Sequence, residues 1–351
     1  MTLPVGSPGP VVLFDGCPLC GVTGHDHVFD HPECGEVVDC RGCGLRYTRS
    51  RRLSSWAAIR RETPGPLLDV FIEKEADQVR DFRAILGRLH ELGARGPLLD
   101  VGSMTGHFLS EARSAGFDTV GIEPDPWAAG YARREFGLDI REELLTEAAF
   151  EPGSFGVVSM LHVMEHLTDP KETLAVIHRT LADDGILAVE IPIIDATATR
   201  IMGRRHRHYV FDHTLFMTRT TCARFLEEAG FRIVRREATG RTLRLGRLAR
   251  GMAVRSPQLG GAVSRAVETL RLDRVHLTVN LRDILRVYAV KRQATSPPPR
   301  ATFRAPRRET AAPDPGTPGH PALGSTTRNG RRPRTGRPAG RAPRAPLPRR
   351  G

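Results

Sequence analysis

The chain has 351 residues, 40% of them hydrophobic, and a formal net charge of +12. That is enough for one sizeable core and a small satellite, and no run approaches the roughly 20 apolar residues of a membrane span. The charge suggests nucleic acid at first sight, but residues 294–351 hold thirteen Arg against two acids (Glu309 and Asp314), so the rest of the chain carries only +1.

Residues 1–16 are rich in Pro and Gly and read as a flexible N-terminus. The apolar run at 11–14 is too short for a signal sequence and has no basic start, so a cytoplasmic, reducing location is expected. Five of the six Cys fall in the first 43 residues. Cys17-x-x-Cys20 and Cys40-x-x-Cys43 are separated by nineteen residues, a spacing that fits a four-thiolate zinc site. Gly21 and Gly44 follow the two knuckles and let backbone N–H groups turn toward sulfur. Four thiolates close a tetrahedral shell, which makes the site structural, and a module of residues 17–50 has little core without the metal. His25, His27, His31 and Cys34 read as polar loop residues beside it.

Residues 51–96 read as a helical connector, with Val79, Phe82, Leu86 and Leu89 at three- and four-residue spacing. From 97 to 293 strands and helices alternate. Strands are expected at 97–101, 119–122, 157–161, 186–191, 231–236 and 283–290. Helices are expected at 105–115 and 126–136, from 169–170, and at 220–229. Such alternation gives a parallel sheet with helices on both faces. The tail, 294–351, holds 13 of the 27 Pro and has no apolar period, so it is expected to be disordered.

Residues 98–106, LLDVGSMTG, run from a strand through a Gly-bearing turn into a helix. Gly102 allows the sharp turn, Gly106 a close backbone approach, and the helix start offers free N–H groups. Glu123 ends the second strand seventeen residues on, where an acid can accept hydrogen bonds from ribose hydroxyls. This resembles motif I and the acidic second-strand end of class I S-adenosylmethionine-dependent methyltransferases. Residues 155–170 (FGVVSMLHVMEHLTDP), 181–192 (LADDGILAVEIP) and 220–233 resemble the fourth strand, the fifth strand and the helix–turn–strand after it.

The resemblance covers about residues 97–293. It implies a Rossmann-like α/β fold with a seven-stranded sheet and a zinc-ribbon-like module in front. It also implies S-adenosylmethionine held by Asp100, Gly102, Ser103, Thr105, Gly106, Glu123 and Leu161, and structural zinc on Cys17, Cys20, Cys40 and Cys43. Two positions depart from the pattern. Met104 stands where the family usually has Gly, so its side chain must turn away from the cofactor. Gly156 stands where an Asp usually precedes the fourth strand. The loop's Gly102-x-x-x-Gly106 spacing is not the dinucleotide fingerprint, which weighs against a dehydrogenase.

In the resembling family the acceptor lies at the carboxyl ends of strands four and five, in keeping with the general rule for open α/β sheets. Here that edge carries His162, Glu165 and His166. An oxygen or carbon acceptor must lose a proton, and a near-neutral His suits the task. His162, His166 and His213 are the candidate catalytic residues; His166 reads equally well as a helix-start or packing residue. His162-x-x-Glu165-His166 also spells a zinc-peptidase motif, but that needs one continuous helix and here the first His ends a strand. His206 and His208 read at least as well as solvated side chains of a basic loop.

The whole pattern, with Cys43-Gly-Leu-Arg-Tyr47, resembles zinc-headed methyltransferases of sugar and secondary-metabolite pathways. That implies a small polar acceptor such as a nucleotide-linked sugar. An RNA methyltransferase is the alternative, with nucleic acid reached through the basic tail. Aromatics at 6% leave few stacking platforms for it, and the fourth strand lacks the Asn-Pro-Pro-aromatic signature. A degenerate fold used only for binding is the third reading.

Overall fold

The computed structural model describes residues 11–51, 64–146, 150–249, 257–273 and 275–292. The expectations for residues 1–10, 52–63 and 294–351, the Arg-rich tail included, lie outside the described residues. Those described belong to one compact unit within residues 1–297.

The amino-terminal module is a small antiparallel sheet of β1 (Val11–Val12), β2 (His25–His31), β3 (Gly35–Cys40) and β4 (Arg46–Arg51) in the order β1-β4-β3-β2. The three His expected in a polar loop lie on β2. Their ring nitrogens face the Thr23 carbonyl, Asp30 and the backbone of Glu33 and Cys34. Cys34 is fully buried and its thiol donates to the Val210 carbonyl at 3.2 Å.

Two helices follow, α1 (Pro64–Asp77) and α2 (Val79–Glu91). The expected three-four spacing holds in α2, which buries Phe82, Ile85, Leu86 and Leu89. The alternating region then gives β5 (Leu98–Val101), α3 (His107–Ser114), β6 (Thr119–Ile122), α4 (Pro126–Phe136), β7 (Asp139–Arg141), β8 (Phe155–Leu161), α5 (Pro170–Thr180), β9 (Leu181–Pro192), α6 (Thr197–Met202), β10 (Leu215–Phe216), α7 (Arg219–Glu228), β11 (Phe231–Arg244), α8 (Pro257–Thr269) and β12 (His276–Lys291). Helix starts are capped as their sequences dictate. Asp125 accepts from the N–H groups of Trp127 and Ala128, with Pro126 at the first helical position, and Thr218 and Thr221 form a capping box.

Seven strands form the main sheet in the order β11-β12-β9-β8-β5-β6-β7. β5 to β9 are parallel, and β12 runs antiparallel between β9 and β11. This is a Rossmann-like α/β fold. The period of two divides the core. Leu98, Val157 and Ile186 join α2, α3 and α4 on one face. Leu99, Val158 and Leu187 join α5 and α7 on the other. Each such buried Leu, Ile or Val contributes roughly 1.5–3 kcal/mol.

The second face does not stop at the sheet. Phe14, Leu19, Val38, Leu45 and Tyr47 of the module share its core, and β10 pairs with β4 (Leu215 opposite Tyr47). The module is therefore built into the α/β domain through residues 210–217 as well as joined to it in sequence. Gly156 has a plain structural reason. A Cβ there would lie 1.6 Å from the Arg95 carbonyl oxygen, while its N–H bonds to Pro97. It serves the amino-terminal end of β8, away from the carboxyl edge where a cofactor would sit.

Among the elements not anticipated, β7 is three residues with one buried side chain, Ile140. β9 begins at Leu181 rather than 186, and β11 and β12 extend as a long hairpin through a polar stretch. Among the described residues no helix is long and apolar enough to cross a membrane.

Candidate functional site

The turn after β5 carries the expected geometry. Gly102 has φ +75°, and a Cβ there would lie 2.5 Å from Val163 Cγ2. Gly106, at φ +81°, is held to glycine by packing, since its Cβ would lie 2.7 Å from Ala132 Cβ. Met104 adopts φ +49°, the left-handed conformation a glycine would take freely. Its N–H donates to Glu123 Oε2 at 2.9 Å, and the Asp125 N–H donates to Glu123 Oε1 at 2.8 Å. Two backbone donors thus fix the Glu123 carboxylate at the carboxyl ends of β5 and β6.

Other loop residues are placed less openly. Asp100 is buried beneath the turn, where burial pushes its carboxyl up to about 8 although Ser159 Oγ donates to it at 2.6 Å. Ser103 is buried, and among the described residues its Oγ has no partner. Thr105 Oγ1 bonds to Glu75 and lies 2.9 Å from His107 Nδ1. Glu75 comes from α1, which therefore reaches the loop. Leu161 ends β8 opposite Glu190 of β9.

The carboxyl edge of β8 and β9 gathers the polar residues. His162, at φ +57°, lies between two carboxylates: Nδ1 is 3.2 Å from Glu165 Oε1 and Nε2 is 3.0 Å from Glu190 Oε1. Arg241 Nη2 lies 2.9 Å from the same Nε2. Arg286 closes the far side of Glu190, with Nε 2.8 Å and Nη2 2.7 Å from Oε2. Burial is the largest single influence and raises both carboxyls, but the hydrogen bonds and positive charges around them together outweigh it. Arg286 and His162 hold Glu190 well below the usual range, and His162 holds Glu165 at about 2.

His166 and His213 meet edge to face, ring centroids 4.8 Å apart. His166 Nδ1 faces the Asp212 carbonyl at 3.0 Å. A carbonyl only accepts, so Nδ1 carries the hydrogen and the neutral ring keeps its lone pair on Nε2. The His166 side chain is 34% exposed, against 21% for His162. Burial drives the His213 imidazole down to about 4, and its shielded Nδ1 has no partner among the described residues. Lys74 of α1 is also driven down by burial, to about 8.

His206 and His208, weighed as solvated, are both buried and face Asp283 Oδ2 at 3.4 and 3.1 Å. Arg207 engages the same carboxylate with Nε and Nη2. Sequence reading missed Glu190, Arg286, Arg241, Lys74 and Glu75. For the first two a signal exists, a lone charge inside an apolar strand. Lys74 and Glu75 sit in a charged run with none.

In the module the four Cys sulfurs converge. Cys17 and Cys43 lie 3.5 Å apart, Cys20 and Cys40 3.4 Å, and all four within 4.8 Å. Tetrahedral Zn–S bonds of about 2.3 Å put sulfurs roughly 3.8 Å apart, so the cluster could hold a metal with little movement. The Gly42 N–H already points at Cys40 Sγ, 3.3 Å away.

Residues 72–236 match a family described as a methyltransferase domain, which supports a methyltransferase. No curated protein is matched by the sequence. Similar solved structures include a Thermotoga maritima SAM-dependent methyltransferase described as a possible histamine N-methyltransferase. It has 16% identity and TM-score 0.46 over 67% of this chain and 99% of that one. A putative sarcosine dimethylglycine methyltransferase from Galdieria sulphuraria has 14% identity and TM-score 0.43 over 61% of this chain and 86% of that one. A SAM-dependent methyltransferase from Archaeoglobus fulgidus has 18% identity and TM-score 0.39 over 60% and 94%.

Proposed function

We propose that the chain is an S-adenosylmethionine-dependent methyltransferase that modifies a small polar acceptor, such as a nucleotide-linked sugar or a secondary metabolite. One observation carries the reading: the Glu123 carboxylate, fixed by the Met104 and Asp125 N–H groups at 2.9 and 2.8 Å beside the Gly102 turn. The residues present fit the cofactor. Glu123 offers lone pairs for ribose hydroxyls, Gly102 and Ser103 form the turn over Asp100, and the partnerless Ser103 Oγ is a hydrogen-bonding group in wait of a partner. Thr105, Gly106 and Leu161 complete the proposed set.

When bound, the cofactor supplies an activated methyl group and a sulfur leaving group. The protein's part is to orient the acceptor and manage its proton. An acceptor at the β8–β9 edge loses that proton beside His166 and His213. His162, spanned between Glu165 and Glu190, holds the edge in shape. Zinc on Cys17, Cys20, Cys40 and Cys43 stabilises the module, and through β10 the placement of His213.

The test is transfer of a labelled methyl group from S-adenosylmethionine to a panel of nucleotide sugars and small hydroxylated metabolites, with RNA alongside. Label in a small acceptor is expected. Label in RNA alone would move the acceptor class to nucleic acid.

A further inference from the structure

The His-x-x-Glu-His motif does not assemble as its spacing suggests. His162 turns away at φ +57° and is taken up by Glu165 and Glu190. The motif's Glu165 and His166 instead meet a residue 47 positions beyond His166. Potential ligating atoms of Glu165, His166 and His213 all lie within 4.8 Å of one another.

Two of these groups are otherwise unexplained. Glu165 is 1% exposed, and among the described residues its Oε2 has no hydrogen-bond partner; the shielded His213 Nδ1 has none there either. Buried polar atoms are ordinarily paired, and an orphan points to an ion or water. One carboxylate oxygen left over by His162 and one imidazole nitrogen, with a second imidazole edge-to-face against the first, form a mixed oxygen–nitrogen donor set. That set suits a borderline divalent transition ion. The other His–carboxylate cluster, His206–His208–Asp283, differs because the Arg207 fork already neutralises its carboxylate.

The frame around the three groups is rigid. Thr214 donates its N–H to the Glu165 carbonyl at 2.7 Å, and its hydroxyl to the Glu165 and Leu167 carbonyls at 3.1 and 2.9 Å. The next residue begins β10, which is paired to the module. Asp212 Oδ2, 3.6 Å from His166 Nδ1, lies at the rim.

We propose that Glu165, His166 and His213 hold a divalent transition-metal ion at the acceptor edge, with His166 on its open side. Three protein ligands leave a coordination position free, as in catalytic rather than structural sites. An ion there lowers the pKa of an acceptor hydroxyl. The hydroxyl's proton goes to solvent, its oxygen lone pair bonds to the methyl carbon, and the carbon–sulfur electrons stay on sulfur. The proposal rests on the methyl-transfer reading for its chemistry, but not for its binding.

The full chain, with its Cys cluster loaded with zinc, is titrated with Co2+ and followed by visible absorption. One Co2+ per chain is expected, with weak ligand-field bands and no new thiolate charge-transfer band. Glu165→Gln and His166→Ala are expected to weaken uptake at least tenfold. His166 is one-third exposed, so His166→Ala keeps the test valid should Glu165→Gln fail to fold, with its unfolding transition and S-adenosylhomocysteine binding as controls. No uptake outside the Cys cluster, or uptake unchanged in His166→Ala, overturns the site. Loss of S-adenosylhomocysteine binding in the parent chain with Co2+ still bound sinks the methyl-transfer reading and leaves the metal site standing.

Discussion

The Cys cluster of the module and the Glu165–His166–His213 cluster are built in opposite ways. The first comes from two local knuckles, each a tight turn that places two sulfurs by itself, so pairing the turns through the β2–β3 hairpin completes it. The second needs the end of β8, a short turn and a segment more than forty residues on, brought together by Thr214 and by β10 on β4. Like ligands at close spacing announce a site in sequence. Unlike ligands on different elements do not. Because β10 ties the two together, loss of the first should disturb the second.

The largest expected effect tests that tie. Structural zinc binding contributes roughly 10–16 kcal/mol of apparent free energy in small modules, comparable with a whole domain's stability of about 5–15 kcal/mol. The double substitution Cys20→Ser, Cys40→Ser should lose the metal and expose residues 210–217 to rapid hydrogen exchange. Retained protection there would show that the module stands without metal and that the tie is weak.

Next comes the pair that walls the carboxyl edge of β8 and β9. Arg286→Met leaves the buried Glu190 carboxylate with His162 and Arg241 only, and should cost about 3–5 kcal/mol by urea unfolding. Pairing it with Glu190→Gln should restore part of that. A cost under about 1 kcal/mol would mean Arg241 suffices to neutralise Glu190.

Asp100 gives a pH-dependent effect beneath the turn after β5. Its folded carboxyl keeps a proton to about 8 against an ordinary 3.8, so the folded state binds more protons between those values. Stability should therefore fall as pH rises from 3.8 toward 8. Asp100→Asn should remove that slope, gaining on the order of 2–4 kcal/mol relative to the parent between pH 5 and 8. Parallel profiles would mean that Asp100 ionises freely beneath the loop.

The smallest effect concerns Met104. Its φ of +49° costs about 1 kcal/mol that glycine would not incur, while glycine adds a similar unfolded-state entropy. Met104→Gly should change stability by no more than about 1 kcal/mol and keep S-adenosylhomocysteine affinity or improve it. A tenfold loss would show that the Met side chain itself contacts the ligand.

The same contrast explains what was legible in the sequence. Asp100, Gly102, Gly106 and Glu123 sit on one strand–turn–helix and the next strand end, local elements that the sequence makes readable. The helix from 170 is readable from its Asp-Pro cap, and α2 from its apolar period. Glu190 and Arg286 belong to adjacent strands joined only by sheet order, and the β11 extension that delivers Arg241 runs through a polar stretch with no alternation. His206 and His208 look solvated beside Arg204, Arg205 and Arg207, and only the tertiary position of Asp283 buries them. Gly156, which departs from the resembling family, is a packing requirement invisible until Arg95 is seen against it.

The most direct test of the account is calorimetric titration of the full chain with S-adenosylhomocysteine, alongside Glu123→Ala. The account predicts binding near micromolar, weakened in the variant by about 1–3 kcal/mol through the lost charged hydrogen bonds. No binding at millimolar ligand, or binding unchanged in Glu123→Ala, would contradict it.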